Sequence, residues 1–362
     1  MKEKNVLDGN AIVYCEGAFN TPCGKTAHGL VRYTKRYKVI AVIDSVYDGK
    51  DAGVVLDGTG KDIPVVSSLD RALEIAESKD LIVSHFVIGI APDGGSITAE
   101  ILEAVKTAIG RNLNVDSGLH DFLSDMPELT EAAERNGVTL RDIRKVSHEN
   151  SRHFFSGVIN EVKSLKIAML GTDSAVGKRT TAQLIVKGFK DAGYNAVMVG
   201  TGQTAWMQGS EYSIILDSLI NDFVSGEIEN AVYNAWLGEK PDIIVIEGQG
   251  SLLNPAYPGG FEIMAAGRPD IILLQHAPGR KDYDGFPGYP LHPLSKQIQA
   301  HELISDKKVV GITINHEDLT DEELKQQIEI IRKETGLPTT DVLKDGVDYL
   351  IKELIPYLKK PE

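Results

Sequence analysis

Short apolar runs alternate with longer, helix-length stretches along the whole chain, and this alternation predicts α/β layers built on mostly parallel sheets. In the first part the β-rich runs are 11–15, 39–43, 81–83 and 113–115, with helical patterns at 69–76, 98–108 and 128–136. The run 138–146 is polar and irregular. A second series opens at 166–170, continues with a helix from 177 to 192, and adds strands at 196–199, 242–247, 270–275 and 309–315. The helix predicted at 321–335 carries its own punctuation. Thr320 and Glu323 form a capping box, Gly336 before Leu337 and Pro338 marks the stop, and Leu324, Ile328 and Ile331 share one face. The break between the two series falls near 148–164, which predicts two parallel-sheet domains, 1–150 and 160–362.

Composition narrows the function classes. A chain of 362 residues is long for one ordinary domain and comfortable for two. Its net charge of −14 argues against a grip on nucleic acid or on an anionic membrane surface, and leaves a local pocket for a small-molecule anion. The two cysteines, Cys15 and Cys23, offer no disulfide framework. Apolar stretches such as 243–246 and 271–274 are strand-sized and far short of a membrane span. No secretory h-region follows the charged start, so a cytoplasmic location is expected. A homo-oligomer is compatible with the sequence.

The strongest chemical signal follows the strand at 166–170. It is Gly171, Thr172, Asp173, Ser174, Ala175, Val176, Gly177, Lys178, Arg179, Thr180 and Thr181, with helix pattern from Thr180 onward. Glycines at both ends let loop amides turn inward, the helix N-terminus adds partial positive charge, and Lys178 can reach outer phosphates. Strand, loop and helix stand in the order that a P-loop requires. One position departs: the hydroxyl residue that usually follows the lysine and ligates Mg²⁺ is Arg179. Arginine neutralises phosphate and cannot bind a cation, so a diphosphate suits the loop better than Mg-triphosphate. Thr180 can replace the missing hydroxyl if the helix starts one residue later. Acetyl-CoA, with its ADP-like pyrophosphate, and ATP, with Mg²⁺ as a possible partner, are therefore both candidate ligands.

Other candidates surround this loop in the sequence. Glu247 ends a buried-looking strand, where a carboxylate calls for a cation, and reads as a metal or water-positioning group. Asp217 is a candidate base, whereas Asp222 reads as an N-terminal helix charge. Gln203, just before them, joins the substrate-binding set. The Pro/Gly-rich stretch from His276 to Pro293 begins at a strand's carboxyl end, where open α/β sheets place ligands. There His276 is a candidate base because an ordinary imidazole titrates near neutrality, Arg280 and Lys281 are candidate carboxylate grips, and His292 reads as structural. Asn315, in Asn-His-Glu-Asp318, faintly echoes a base-reading motif whose lysine is missing, so guanine specificity is not expected. In the first domain, Cys15 to Thr26 is a rival loop with Gly24-Lys25-Thr26 at its end, and Asp44 stands where a dinucleotide fold places a ribose-binding carboxylate. A full Gly-x-Gly-x-x-Gly is absent.

The segment from Gly171 to Lys178 resembles the phosphate loop of dethiobiotin synthetase, and Glu247-Gly-Gln-Gly250 resembles the metal-strand end of the same class. Over nearly the whole chain the sequence is similar to the D-glutamate N-acetyltransferase-like family. The residues carrying that likeness include Lys25-Thr-Ala27, Arg32-Tyr33, Gly200-Thr-Gly-Gln-Thr204, Asp222 to Glu227, Gln275 to Arg280 and Pro338-Thr-Thr-Asp341. The resemblance implies a Rossmann-like N-terminal domain, a P-loop NTPase-fold C-terminal domain and acetyl transfer to an acidic amino acid. Mg-ATP-dependent ligation or phosphoryl transfer, and a nucleotide-gated regulator, are the competing functions.

Overall fold

The computed structural model describes residues 7–145 and 152–358. The chain forms two compact units, one of residues 1–147 with 203–211, the other of 148–202 with 212–362. Both are α/β, and every strand pairing in both sheets is parallel.

The first unit holds β1 (Gly9–Tyr14), β2 (Tyr37–Ile43), β3 (Val65–Val66), β4 (Val83–Ile88), β5 (Asn114–Ser117) and β6 (Leu140–Asp142). Its helices are α1 (Lys25–Arg32), α2 (Ala52–Asp57), α3 (Leu69–Ser78), α4 (Ala99–Gly110) and α5 (Pro127–Asn136). The strands run in the order β3-β2-β1-β4-β5-β6, the doubly wound Rossmann arrangement, and Ile12, Phe86 and Val115 anchor the core beneath the helices. Two expectations move. The strand read at 81–83 is β4, displaced towards Ile88, because Ser84 and His85 interrupt its apolar run. The stretch 138–146 read as irregular contains β6, an edge strand whose pattern of half-buried residues gives no apolar signature.

The second unit holds β7 (Leu165–Gly171), β8 (Ala196–Gly200), β9 (Tyr212–Ser213), β10 (Ile243–Glu247), β11 (Ile271–His276), β12 (Val309–Ile314) and β13 (Thr339–Thr340). Helices α6 (Lys178–Asp191), α8 (Asn221–Glu239), α9 (Phe261–Gly267), α10 (Leu294–Ser305), α11 (Asp321–Thr335) and α12 (Asp348–Leu354) cover it, while the short α7 (Gln203–Met207) belongs to the first unit. The strand order is β13-β12-β11-β7-β10-β8-β9. β7 is buried along its whole length, as a central parallel strand must be when helices cover both faces. Its neighbours are β10 and β11, with Met169 opposite Glu247 and Gly171 opposite Gln275. Three strand ends therefore finish at one level, where the loop from Gly171 begins. The capping box on α11 forms as its sequence predicts.

Two buried glutamates hold the start of the second unit onto α8. Glu229 accepts from the Ser156, Gly157 and Ile159 amides, and Glu227 from the His153 amide. A Cβ at Gly226 would lie 1.8 Å from His153 O, so this glycine is what lets the segment cross the helix. Among the described residues no helix is long and apolar enough to cross a membrane.

Candidate functional site

The loop between β7 and α6 has the geometry of an anion cradle. α6 starts at Lys178 with Gly177 as N-cap at φ +102, and Ala175 also stands at positive φ, +51. These two residues turn the backbone so that consecutive amides face one side. Among the described residues the amides of Ala175, Val176 and Gly177 meet no acceptor. Gly171 lies outside the left-handed region, so its role is spatial and not the conformational one expected of it. A Cβ there would come within 3.0 Å of the Lys178 stem.

Lys178 is buried to 7% exposure. Its Nζ donates to Asp173 O at 2.7 Å and to Gly250 O at 2.8 Å, and its stem runs against Gly248, where a Cβ would also sit 2.5 Å from Met169 O. Carbonyls thus hold the ammonium at the mouth of the cradle. Because α6 begins at Lys178 and not later, Arg179 occupies the place of the metal-binding hydroxyl. The condition for Thr180 to replace it is not met. Thr181, one residue on, donates to Gln275 Oε1 at 2.6 Å and so ties the helix to β11.

Glu247 is 5% exposed and accepts from the Thr201 amide at 2.9 Å. Burial pushes its carboxyl above the ordinary range, opposed by Arg179, the Thr201 amide and Lys178. Its companions are cations, and among the described residues no group of three or more His, Cys, Asp or Glu is placed to hold a metal.

His276 and Arg280 depart from expectation. His276 is buried at the end of β11 with Nδ1 against Thr172 Oγ1 at 2.9 Å, and burial pushes its pKa down to about 4. The ground for reading it as a base, a proton affinity near neutrality, is removed. The Arg280 side chain is 7% exposed and grips protein groups instead of offering itself to a substrate. It donates to Asp173 at 2.8 Å, to Ser174 O at 2.8 Å and through both nitrogen types to Glu317. Lys281 beside it is exposed. His292 pairs with Tyr283 Oη at 2.9 Å, as a structural histidine would.

Asn315 reaches the cradle, but its Nδ2 donates to Val176 O at 3.1 Å, bracing the loop from outside. Asp217 is exposed on a single turn (Leu216–Ser218), which the Leu216 amide ties to Thr201 O at 3.2 Å. Asp222 sits in the first turn of α8 as a helix-end charge. Gln203 is buried in the first unit, its stem against Gly118. Sequence reasoning gave no role to Asn254, Gln275, Gln297 or Glu317, all of which bond to the loop or its supports. Only their proximity to Glu247-Gly-Gln-Gly250, His276 or Asn315 could have flagged them.

In the first unit, Asp44 is not a ribose ligand in waiting. Its carboxylate accepts the Phe19 amide at 2.8 Å and the Val46 amide at 2.9 Å, which pins the 15–24 loop to β2. Arg32 is ion-paired with Asp57 at 2.6 Å. A cavity of about 470 Å³ lies beside Lys166 and Asp270, at the opposite ends of β7 and β11 from the cradle.

Fold and site together define a two-unit α/β protein, a Rossmann-like sheet joined to a P-loop domain. The pattern described as "Domain of unknown function (DUF1611_C) P-loop domain" matches residues 153–351, and that described as "Domain of unknown function (DUF1611_N) Rossmann-like domain" matches 46–146. The chain belongs to this DUF1611 family, which includes D-glutamate N-acetyltransferase-like proteins. Two relatives named D-glutamate N-acetyltransferase, from Pseudoalteromonas sp and Tritonibacter scottomollicae, are each 31% identical to it. They match 77% and 78% of this chain, and 84% of their own lengths. A crystal structure of a DUF1611 family protein from Anabaena variabilis is 29% identical, with a TM-score of 0.86 over 96% of this chain and 99% of that one.

Proposed function

We propose that this protein is a P-loop-fold N-acetyltransferase that moves the acetyl group of acetyl-CoA to the amine of an acidic amino acid such as D-glutamate. The observation that carries the proposal is the match to two proteins of that name across 84% of their lengths. The site supports it. Three open amides, Lys178 and Arg179 suit the pyrophosphate of a coenzyme, and Arg179 stands where Mg-triphosphate chemistry wants a hydroxyl. Mg²⁺ fits poorly beside Glu247, whose neighbouring charges are Arg179 and Lys178, so no step is assigned to it.

In the reaction the amine nitrogen attacks the thioester carbonyl, the C–N bond forms, the C–S bond breaks and the thiolate leaves with a proton. Loop amides or Lys178 would stabilise the oxyanion, and a base must take the proton that the amine loses. His276, at about 4, is a poor acceptor at neutral pH. Exposed Asp217 and exposed Lys281 remain the candidates for the amine's proton and the substrate's carboxylate.

The test is incubation of the purified protein with acetyl-CoA and D-glutamate, following free thiol and N-acetyl product by mass spectrometry. Thiol release matched to acetylated amino acid is expected. Hydrolysis of Mg-ATP with the amino acid, without acetyl transfer, would instead favour a ligase or phosphotransferase. Tight ligand binding with no product from any amino acid would favour a regulator.

A further inference from the structure

An anion-binding loop is a costly place for a buried carboxylate, yet Asp173 is fully buried within it. Its Oδ1 accepts from Asn254 Nδ2 at 2.8 Å and from the Ser174 amide at 2.7 Å. Its Oδ2 accepts from Arg280 Nη1 at 2.8 Å and from the Asp284 amide at 2.9 Å. The donors come from the loop itself, from the segment after β10 and from the segment after β11. Arg280 supplies the balancing charge, and Glu317 grips its other side at 2.8 Å so that the guanidinium cannot swing away.

The backbone of the same residue faces the lysine. Asp173 O accepts from Lys178 Nζ at 2.7 Å, while Gly250 O, in the segment that carries Asn254, takes another donor at 2.8 Å. Lysine, Asp173, Asn254 and Gly250 therefore close a ring. Asn254 stiffens it further by accepting the Ala256 and Tyr257 amides at 2.9 and 2.8 Å. Moving the Asp173 carboxylate would shift the carbonyl that aims the ammonium.

We propose that Asp173 is a positioning residue for Lys178: its buried carboxylate, locked by Arg280 and Asn254, fixes the carbonyl that holds the lysine at the anion cradle. The same lock fastens the start of the 277–293 segment to the loop, which gives Arg280 a task other than gripping substrate. The proposal rests on the anion cradle and not on acetyl transfer as such.

The test is titration calorimetry of inorganic pyrophosphate into the full chain, with melting curves in parallel. Wild type is expected to bind. Asp173→Asn, which sets an amide against the donors of Arg280 or Asp284, should bind at least about tenfold more weakly. Arg280→Lys keeps the charge and loses the two-sided fork, so it should bind several-fold more weakly while folding normally. That variant decides the matter should Asp173→Asn fail to fold. With acetyl-CoA, Asp173→Asn should raise KM by a similar factor, and Arg280→Lys by several-fold. Pyrophosphate binding of wild-type strength in either folded variant would overturn the proposal. Absence of binding in wild type would overturn the cradle itself and the proposal with it.

Discussion

Each unit has a loop that leaves the first strand of its series and enters a helix through a Gly-Lys pair, and the two loops are built for opposite ends. In the first unit the loop from Cys15 spends amides along its length on its own carbonyls and on Asp44. The Ala18, Thr21 and Gly24 amides donate to Cys15 O, Ala18 O and Thr21 O, and Asp44 takes the Phe19 amide. Gly24 has φ −82 and is needed for space, since a Cβ would lie 2.5 Å from Ala18 O. In the second unit the loop holds its amides open. Gly177 has φ +102 and no neighbour within 4 Å of a Cβ, so it is needed for conformation. A Gly-Lys pair after a strand does not make an anion site; unconsumed amides do. The carboxylates differ in the same sense, because Asp44 closes its loop whereas Asp173 braces its loop from beneath.

The sharpest way to break this comparison is to remove each lysine. Lys178→Ala should weaken binding of a pyrophosphate-bearing ligand by two or more orders of magnitude, about 3 kcal/mol, in calorimetry. Lys25→Ala should leave it within about twofold. Equal losses would erase the distinction drawn between the loops.

The groups beneath the loops give the next effect. His276 stays neutral when folded because burial holds it at about 4, while an unfolded histidine titrates near 6.5. As pH falls from neutrality through that window, the unfolded chain takes up a proton that the native state refuses, and stability drops. The full loss is about 3 kcal/mol, complete once pH falls below the folded value, and His276→Gln should flatten it in denaturant melts at about pH 7 and about pH 4.5. An unchanged slope would mean that the imidazole is less enclosed than its contacts suggest. Asp44→Asn leaves one of two amides facing a donor and should cost about 1–3 kcal/mol of stability with ligand affinity untouched. A fall in affinity would bring the first loop into the site.

The smallest effect separates the glycines. Gly177→Ala meets no steric obstacle and should cost about 1–2 kcal/mol through its left-handed backbone alone, seen mainly as weaker ligand binding. Gly24→Ala should instead lower melting temperature and spare binding.

What the sequence disclosed and what it withheld follow from locality. β7, the cradle and α6 are one continuous stretch, so the order strand, glycine loop, lysine and helix could be read directly. The capping box at Thr320 is local in the same way. The brace under the cradle is not: Asp173 meets Arg280 across 107 positions and Asn254 across 81. Nothing in the pattern around Arg280 distinguishes a substrate grip from an internal partner, and only packing reveals that Glu317 and Asp173 claim it. His276 was likewise legible as a residue at a strand's carboxyl end. Its basicity depended on enclosure, which comes from Thr172 and the strands around it. Edge strand β6 escaped because half-buried residues alternate with nothing.

The most direct test is a crystal structure of the protein with acetyl-CoA bound. The pyrophosphate should lie on the amides of Ala175, Val176 and Gly177, with Lys178 turned from its carbonyls towards a phosphate oxygen. Coenzyme lodged at the 15–26 loop, with the 171–181 loop empty and unchanged, would contradict the account.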